Sequence, residues 1–351
     1  MLIWSVEPPG VSYTSATLVA VSPSARSHRV IALRRLPYST RPAYGAMDSW
    51  IRAQSASSTT DVSAEATEVR SAAKECTMSE GDRQPNAAGA DPMWERLPRL
   101  AEPFRVQLDS QRLADLQHYS ALLSDWSQRF NLTALTDPEQ ILLRHFLDSL
   151  TCARAVDLMA VGSLIDVGSG AGFPGLVLKI THPHLHVVLL DAVLKRLRFL
   201  ERVVESLGLH DVQVVHGRAE DVGRPLLRAA TGKERQPRGT GAGPPCLREQ
   251  FDLVTARAVA RLNVLAEWTL PLAAVGGGVL AMKGPGVEGE VAEAGPAIRR
   301  LGGGKARIWE FTLPETDIGR SLVWLPKASR TPPDLPRLPG SARKAPLTGK
   351  G

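Results

Sequence analysis

The sequence predicts an α/β fold: a mostly parallel, seven-stranded sheet with helices packed on it and a helical cap before its first strand. Three observations carry that reading. Residues 164–175 (Leu-Ile-Asp-Val-Gly-Ser-Gly-Ala-Gly-Phe-Pro-Gly) read as a short buried strand, a glycine turn and the start of a helix. Downstream, short apolar runs alternate with segments of helical periodicity, the order that builds a parallel sheet. Upstream, apolar residues recur at three- and four-residue steps without strand-like runs.

The chain has 351 residues, 43% of them apolar and 22% charged, ordinary for a globular protein with ample core. Its net charge of +6 permits a nucleic-acid partner without requiring one. Cys76, Cys152 and Cys246 are far apart and odd in number. They form neither a disulfide framework nor a metal spacing, so a reducing compartment and no metal are expected. No apolar run approaches the roughly 20 residues of a membrane-spanning helix.

Residues 1–95 differ from the remainder. The first 46 hold Arg26, Arg29, Arg34, Arg35 and Arg41 but only Glu7 as an acid, the composition of an organellar transit peptide. Residues 50–92 are rich in Ser, Ala, Thr and Gly and are expected to be disordered. A start codon placed too far upstream fits equally, because Met47, Met78 or Met93 would each begin a sensible chain.

The helical cap is expected over 96–158. Leu113, Leu116, Tyr119, Leu122, Leu123, Trp126 and Phe130 make one amphipathic helix, ended by Asn131-Leu-Thr. Asp137-Pro138-Glu139-Gln140 is a second helix start, with Asp as cap and Pro at the first position. The sheet domain follows over 159–326. Strands are expected at 187–190, 212–215, 251–255 and 279–282, with helices over 193–207 and about 261–273. Residues 306–313 and 321–325 form a last, antiparallel pair. Residues 223–249, rich in Gly, Pro, Arg and Lys, are longer than a normal crossover connection and read as a disordered insertion. The stretch 327–351 is Pro-rich and basic, either a flexible tail for phosphates or a solubilising end.

The glycine turn points to a ligand. A dinucleotide fingerprint wants G-x-G-x-x-G, and its third glycine would fall at 173, which is Phe. Here Gly168, Gly170 and Gly172 follow Asp166 as G-x-G-x-G, a variant similar to motif I of class I S-adenosylmethionine (SAM) methyltransferases. SAM carries an ammonium and a sulfonium, so an acid at the strand end suits its methionine moiety. Asp191, 21 positions after Gly170, can accept from ribose hydroxyls, cap the next helix, or do both. Ala219 and Glu220 follow the third strand, where the Glu220 N–H can read adenine or the acid can simply face water. Arg257 follows the fourth strand at the binding edge, placed to hold a carboxylate or an RNA phosphate. Lys195, Arg196, Arg198 and Arg202 crowd one helix as an exposed face or an RNA contact. His145 and Asp148, three apart beside Arg144, are either a structural pair or part of the site.

No Asn-Pro-Pro-Tyr or Asp-Pro-Pro-Tyr follows the fourth strand, and Pro245-Cys246, in the insertion, is the only Pro-Cys pair. Cys246 therefore reads as incidental, not as a nucleophile. A lone pair such as guanine N7 needs neither thiolate nor general base, only alignment with the donor. No catalytic side chain is assigned.

Over residues 100–350 the chain resembles the bacterial small-subunit rRNA methyltransferase G family (RsmG, also called GidB). The matching pieces are Asn131-Leu-Thr, Arg144-His-Phe-Leu-Asp148-Ser, Asp166 through Gly175, Leu190-Asp191, Lys195 through Leu200, Arg218-Ala-Glu220, Ala256-Arg257-Ala and Met282-Lys283-Gly284. The resemblance implies a SAM-dependent enzyme that methylates N7 of guanosine 527, in the 530 loop of 16S rRNA. It implies SAM contacts at Gly168, Phe173, Ala219, Glu220 and Arg257, and it turns Arg144, His145 and Lys283 toward the RNA. The N-terminal extension and the 223–249 insertion depart from the family pattern. Expected with it are a small-subunit rRNA or 30S partner, a monomer, and a cytoplasmic place, or an organellar one if the extension is a transit peptide. The rival readings are a dinucleotide-dependent oxidoreductase, a non-catalytic rRNA-binding assembly factor on the same scaffold, and a small-molecule methyltransferase.

Overall fold

Residues at alternate positions of the central strands feed two different cores, which is why these strands read as unbroken apolar runs. The computed structural model describes residues 91–225, 245–257 and 259–348, all within one unit, Gln84–Gly351. The extension through residue 90 and the insertion over 226–244 lie outside the described residues.

Seven strands form one sheet: β1 (Ser163–Val167), β2 (His186–Asp191), β3 (Val212–His216), β4 (Phe251–Arg257), β5 (Ala273–Lys283), β6 (Arg307–Thr312) and β7 (Gly319–Pro326). Their spatial order is β3-β2-β1-β4-β5-β7-β6. The first five are parallel, and β7 runs antiparallel between β5 and β6. The order reverses at β1, so a crevice opens at the carboxyl ends of β1, β2 and β4, where ligands bind in such sheets.

On one face Leu164, Val187 and Leu189 pack with the cap and with the helices α2 (Gly175–Thr181) and α3 (Leu194–Ser206). On the other, Ile165, Val188 and Leu190 pack with α5 (Leu262–Thr269) and α6 (Glu288–Arg300). The long cap helix α1 (Ser110–Phe130) starts on Asp109, which accepts from the Arg112 N–H, and ends on Asn131 in a left-handed conformation. Asp137 caps the next helix as expected, accepting from the Gln140 N–H. That helix runs through Pro138–Ile141, widens to a π-helix over Leu142–Leu147 and closes at Asp148–Leu150. π segments concentrate at functional sites, and this one carries Arg144 and His145.

The structure corrects several expectations. The cap begins before residue 96, because Asp91 caps a turn over Pro92–Glu95 that buries Trp94 against Phe146. Strand β5 starts at Ala273 and takes in Gly276, Gly277 and Gly278 rather than following them as a turn. A Cβ at Gly278 would press on the Trp324 ring of β7 at 2.5 Å, so a glycine there lets the strands close up. Between β5 and β6, where no helix is expected, the chain forms α6, which carries Pro296 within it. Ala219–Gly223 is a short helix, α4, not a loop.

The two ends of the insertion and the basic tail are ordered. Arg248 donates to the carbonyls of Gly223, Thr331, Pro332 and Leu335, joining the insertion's base to the tail. Lys327 is fully buried, and its ammonium donates to the Leu301 carbonyl (3.0 Å) and to Thr331 Oγ1. Leu335, Ala342 and Leu347 sit in the core beneath α5, and the tail includes a helical turn, α7 (Ser341–Lys344). Residues 327–348 are thus neither a free tail nor a solubilising end. Proline-rich composition marks a chain that avoids helix and sheet, and packing by side chains is still open to it.

Candidate functional site

The turn after β1 is shaped by backbone conformation first. Gly168, Gly170 and Gly172 all have positive φ, at 70°, 60° and 95°. A Cβ at Gly168 would meet Val259 Cγ1 at 2.5 Å, and one at Gly172 would meet the Tyr119 hydroxyl at 2.5 Å. Only glycine satisfies both the torsion and the close approach. The Tyr119 hydroxyl, fully buried, donates to the Ala171 carbonyl and so pins the cap to the turn.

Asp166 lies beneath this turn with no exposed surface. Its Oδ2 accepts from the Gly175 N–H at 3.0 Å and its Oδ1 from the Thr255 hydroxyl at 2.9 Å. The carboxylate therefore occupies the N-terminus of α2, where a pyrophosphate docks in dinucleotide folds. It braces the turn rather than lining the crevice, which differs from the expectation that it seats the methionine end. Burial pushes its pKa up to about 6, against the pull of the Gly175 and Thr255 hydrogen bonds. In the folded chain Asp166 thus keeps a proton, between about pH 4 and 6, that the unfolded chain has released. Its contribution to stability falls as pH rises through that window. Burial and the Arg257 charge lower His145 to about 4, with the opposite sign: the unfolded chain binds the extra proton, so stability rises with pH between about 4 and 6.5. Asp166→Asn can still accept from Gly175 and donate to Thr255. Urea unfolding from pH 4 to 7 should show its stability relative to wild type rising across pH 4–6, by up to about 3 kcal/mol. A constant difference would show that Asp166 stays ionised throughout.

A cavity of about 400 Å³ opens beside the turn. Gly168, Asp191, Ala219 and Glu220, four of the expected site residues, line it together. Asp191 stands on the cavity wall and braces the turn that leads into α3, whose N-cap position is Val193. Oδ1 accepts from the Val193 N–H (2.9 Å), and Oδ2 accepts from the Gly170 N–H (3.0 Å) and from Arg196 Nη1 (3.3 Å). Gly168 and Ser169 donate to the Leu190 carbonyl, so β2 and the glycine turn hold each other. Glu220 is not a solvated acid; it is 6% exposed and accepts from the Gly340 N–H at 3.2 Å. Arg196 and Arg218 also reach the wall.

Sequence reasoning missed Val259, Trp268, Gly340 and Arg343, which also line it. Trp268 comes from α5 and the last two from the tail. Nothing local marks Gly340 and Arg343: their positions depend on how the tail packs.

The remaining expected residues gather outside the cavity lining. Phe173 is stacked between Tyr119 (centroids 5.2 Å apart) and His145 (4.7 Å), with the Arg257 guanidinium 5.1 Å from its ring centre. Arg257 donates to the Arg144 carbonyl (3.2 Å), to Asp148 Oδ2 (3.4 Å) and to His145 Nδ1 (3.3 Å). His145 Nδ1 also lies 3.2 Å from the Arg144 carbonyl, and its Nε2 lies 2.8 Å from Thr133 Oγ1. Arg320 of β7 donates to the other Asp148 oxygen at 2.8 Å. His145 and Asp148 are thus both in one cluster, bridged by Arg257 rather than paired directly. Arg144 is exposed and bonds Gln140. Lys283 stands apart, donating to the Ala260 carbonyl and to Glu290 Oε1 at 2.7 Å each, so its ammonium is engaged within the chain.

A model of the family "rRNA small subunit methyltransferase G" matches residues 112–315. Two proteins named ribosomal RNA small subunit methyltransferase G are similar to this chain. The one from Alkaliphilus metalliredigens is 41% identical over 68% of this chain and 92% of its own length. The one from Roseiflexus castenholzii is 43% identical over 72% of this chain and 99% of its own. Among solved structures, an O-methyltransferase from Bacillus cereus in complex with SAH aligns with a TM-score of 0.38 at 18% identity, over 66% of this chain and 98% of that one. Among the described residues no helix is long and apolar enough to cross a membrane.

Proposed function

From the premise that the chain belongs to the rRNA small subunit methyltransferase G family, we propose that it transfers a methyl group from SAM to N7 of guanosine 527 of small-subunit 16S rRNA. Family membership makes it an rRNA methyltransferase, and that membership, across nearly the whole length of its relatives, is the observation that carries the reading.

The residues on the cavity wall suit SAM. An adenosine offers a ribose diol and an exocyclic amine, all donors, and the wall offers the carboxylates of Asp191 and Glu220 as acceptors. Its volume lies within the ordinary range for small-ligand sites, about 300–1,000 Å³. The geometry speaks against a dinucleotide: Asp166 already fills the N-terminus of α2, and Phe173, where the third glycine would stand, is buried under the cap.

In this reading Asp191 takes the ribose, Ala219 and Glu220 the adenine, and Gly168 admits the ligand against bare backbone. Asp166 and Tyr119 hold the turn in shape. When bound, SAM supplies an electrophilic methyl group. Guanine N7 carries a lone pair and no proton, so the chain has none to remove and its work is alignment. Arg257 and neutral His145, packed on Phe173, form a cationic and aromatic flank next to the glycine turn, suited to a carboxylate or to a base and phosphate of RNA. Arg144, exposed beside them, extends that flank. The assembly-factor rival lacks support from the site, because the glycines, Asp191 and Glu220 are all held in order.

The test is transfer from methyl-labelled SAM to small-subunit rRNA lacking this modification, with digestion and identification of the labelled nucleoside. The expected product is N7-methylguanosine at that one position. Label on another atom or another nucleotide would overturn the substrate, and no transfer to rRNA or 30S subunits despite SAM binding would overturn the activity.

A further inference from the structure

We propose that the C-terminal segment, residues 335–347, is a working wall of the cofactor site, and that Arg343, laid over Trp268, positions the adenosine end of the ligand. The proposal rests on the SAM reading of the cavity and extends it to residues that the glycine turn and strand ends do not include.

The segment is anchored far more firmly than a chain end needs. Arg337 clamps Glu267, whose carboxylate is 1% exposed, through its backbone N–H and Nε to Oε1 (2.9 Å each) and Nη2 to Oε2 (2.6 Å). Arg248 holds the Thr331, Pro332 and Leu335 carbonyls from the other side. Burying these charges costs free energy unless each is met by good partners, as here. What the anchors achieve is to deliver two residues to the cavity, Gly340 and Arg343.

Their place within it is specific. Gly340 donates its N–H to Glu220, so the segment meets the cavity at the β3 side, beyond Asp191, and away from the glycine turn. The Arg343 guanidinium lies 5.0 Å from the centre of the Trp268 ring. Among the described residues no carboxylate pairs with it. A planar cation placed over an indole still has N–H groups and a face to offer, and both suit adenine, whose ring nitrogens accept and whose π face stacks on guanidinium. Arg343 would also suit an RNA phosphate, but its position on the cavity wall and its ring contact favour the cofactor.

Calorimetric titration of the full chain distinguishes the two. The probes are S-adenosylhomocysteine and methylthioadenosine, which share the adenosine end and differ in the amino-acid end. Arg343→Ala, at an exposed side chain, should weaken both probes by the same factor, about tenfold, and Arg343→Lys should not restore either fully. Unchanged affinity for both probes overturns the proposal, and a raised KM for rRNA alongside it would make Arg343 an RNA contact. Weakening of S-adenosylhomocysteine alone also overturns it, placing Arg343 at the amino-acid end. If the wild-type chain binds neither probe, the SAM reading itself falls, and this inference with it.

Discussion

Asp191→Ala should weaken SAM binding by about 100-fold or more while leaving the fold intact. The expectation comes from the carboxylate's double duty. It stands on the cavity wall and, 3% exposed in its side chain, ties the Gly170 N–H to the Val193 N–H across the gap between the glycine turn and α3. Removing it deletes two acceptors offered to ribose hydroxyls, each worth about 1.5 kcal/mol for a charged partner, and tenfold costs about 1.4 kcal/mol. It also leaves the turn free to drift, because only the Leu190 carbonyl then holds Gly168 and Ser169 to β2. Calorimetric titration, with circular dichroism to confirm folding, measures the loss. Asp191→Asn, which keeps one oxygen, should retain part of the affinity. Wild-type affinity in Asp191→Ala would reduce the residue to a brace of the turn before α3.

Asp148→Ala should destabilise the folded chain by about 3–5 kcal/mol, the cost of stranding buried charge. Asp148 is 4% exposed and faces two guanidiniums, Arg257 from the end of β4 and Arg320 from the start of β7. Those arginines are 16% and 21% exposed in their side chains, so water does little to replace the lost partner. The three residues join the π-helical cap segment to the central sheet and to its antiparallel edge. Their loss should therefore register in global urea unfolding, not only in local mobility. Arg320→Met, which leaves Asp148 paired with Arg257, should cost clearly less. Equal losses in the two variants would show that the cluster does not act through charge balance.

The parts of this site legible in the sequence are those set by short-range geometry. The spacing of Gly168, Gly170 and Gly172 after an apolar strand favours the turn, since glycine takes positive φ without a Cβ penalty. Asp191, Ala219 and Glu220 follow because each ends or follows a strand, and parallel strands bring their carboxyl ends to one edge. Asp137-Pro138 names a helix start through local capping alone. For the tail, composition misled: proline and basic residues in 327–348 look like a solvated end, yet Lys327, Leu335 and Leu347 are buried.

What the sequence by itself determined is the succession of the seven strands, the glycine turn, and the acids at the strand ends, because each depends on contacts within a few residues. What only the tertiary structure decided is how those parts are used. Asp166 turned out to be a brace with both oxygens taken, Lys283 an internal partner of Glu290, and Arg257 the bridge between Asp148 and His145. Trp268 and Arg343 meet across 75 residues of sequence. Which partner a carboxylate or guanidinium takes is set by everything that folds around it, and such long-range proximity leaves no trace in local spacing.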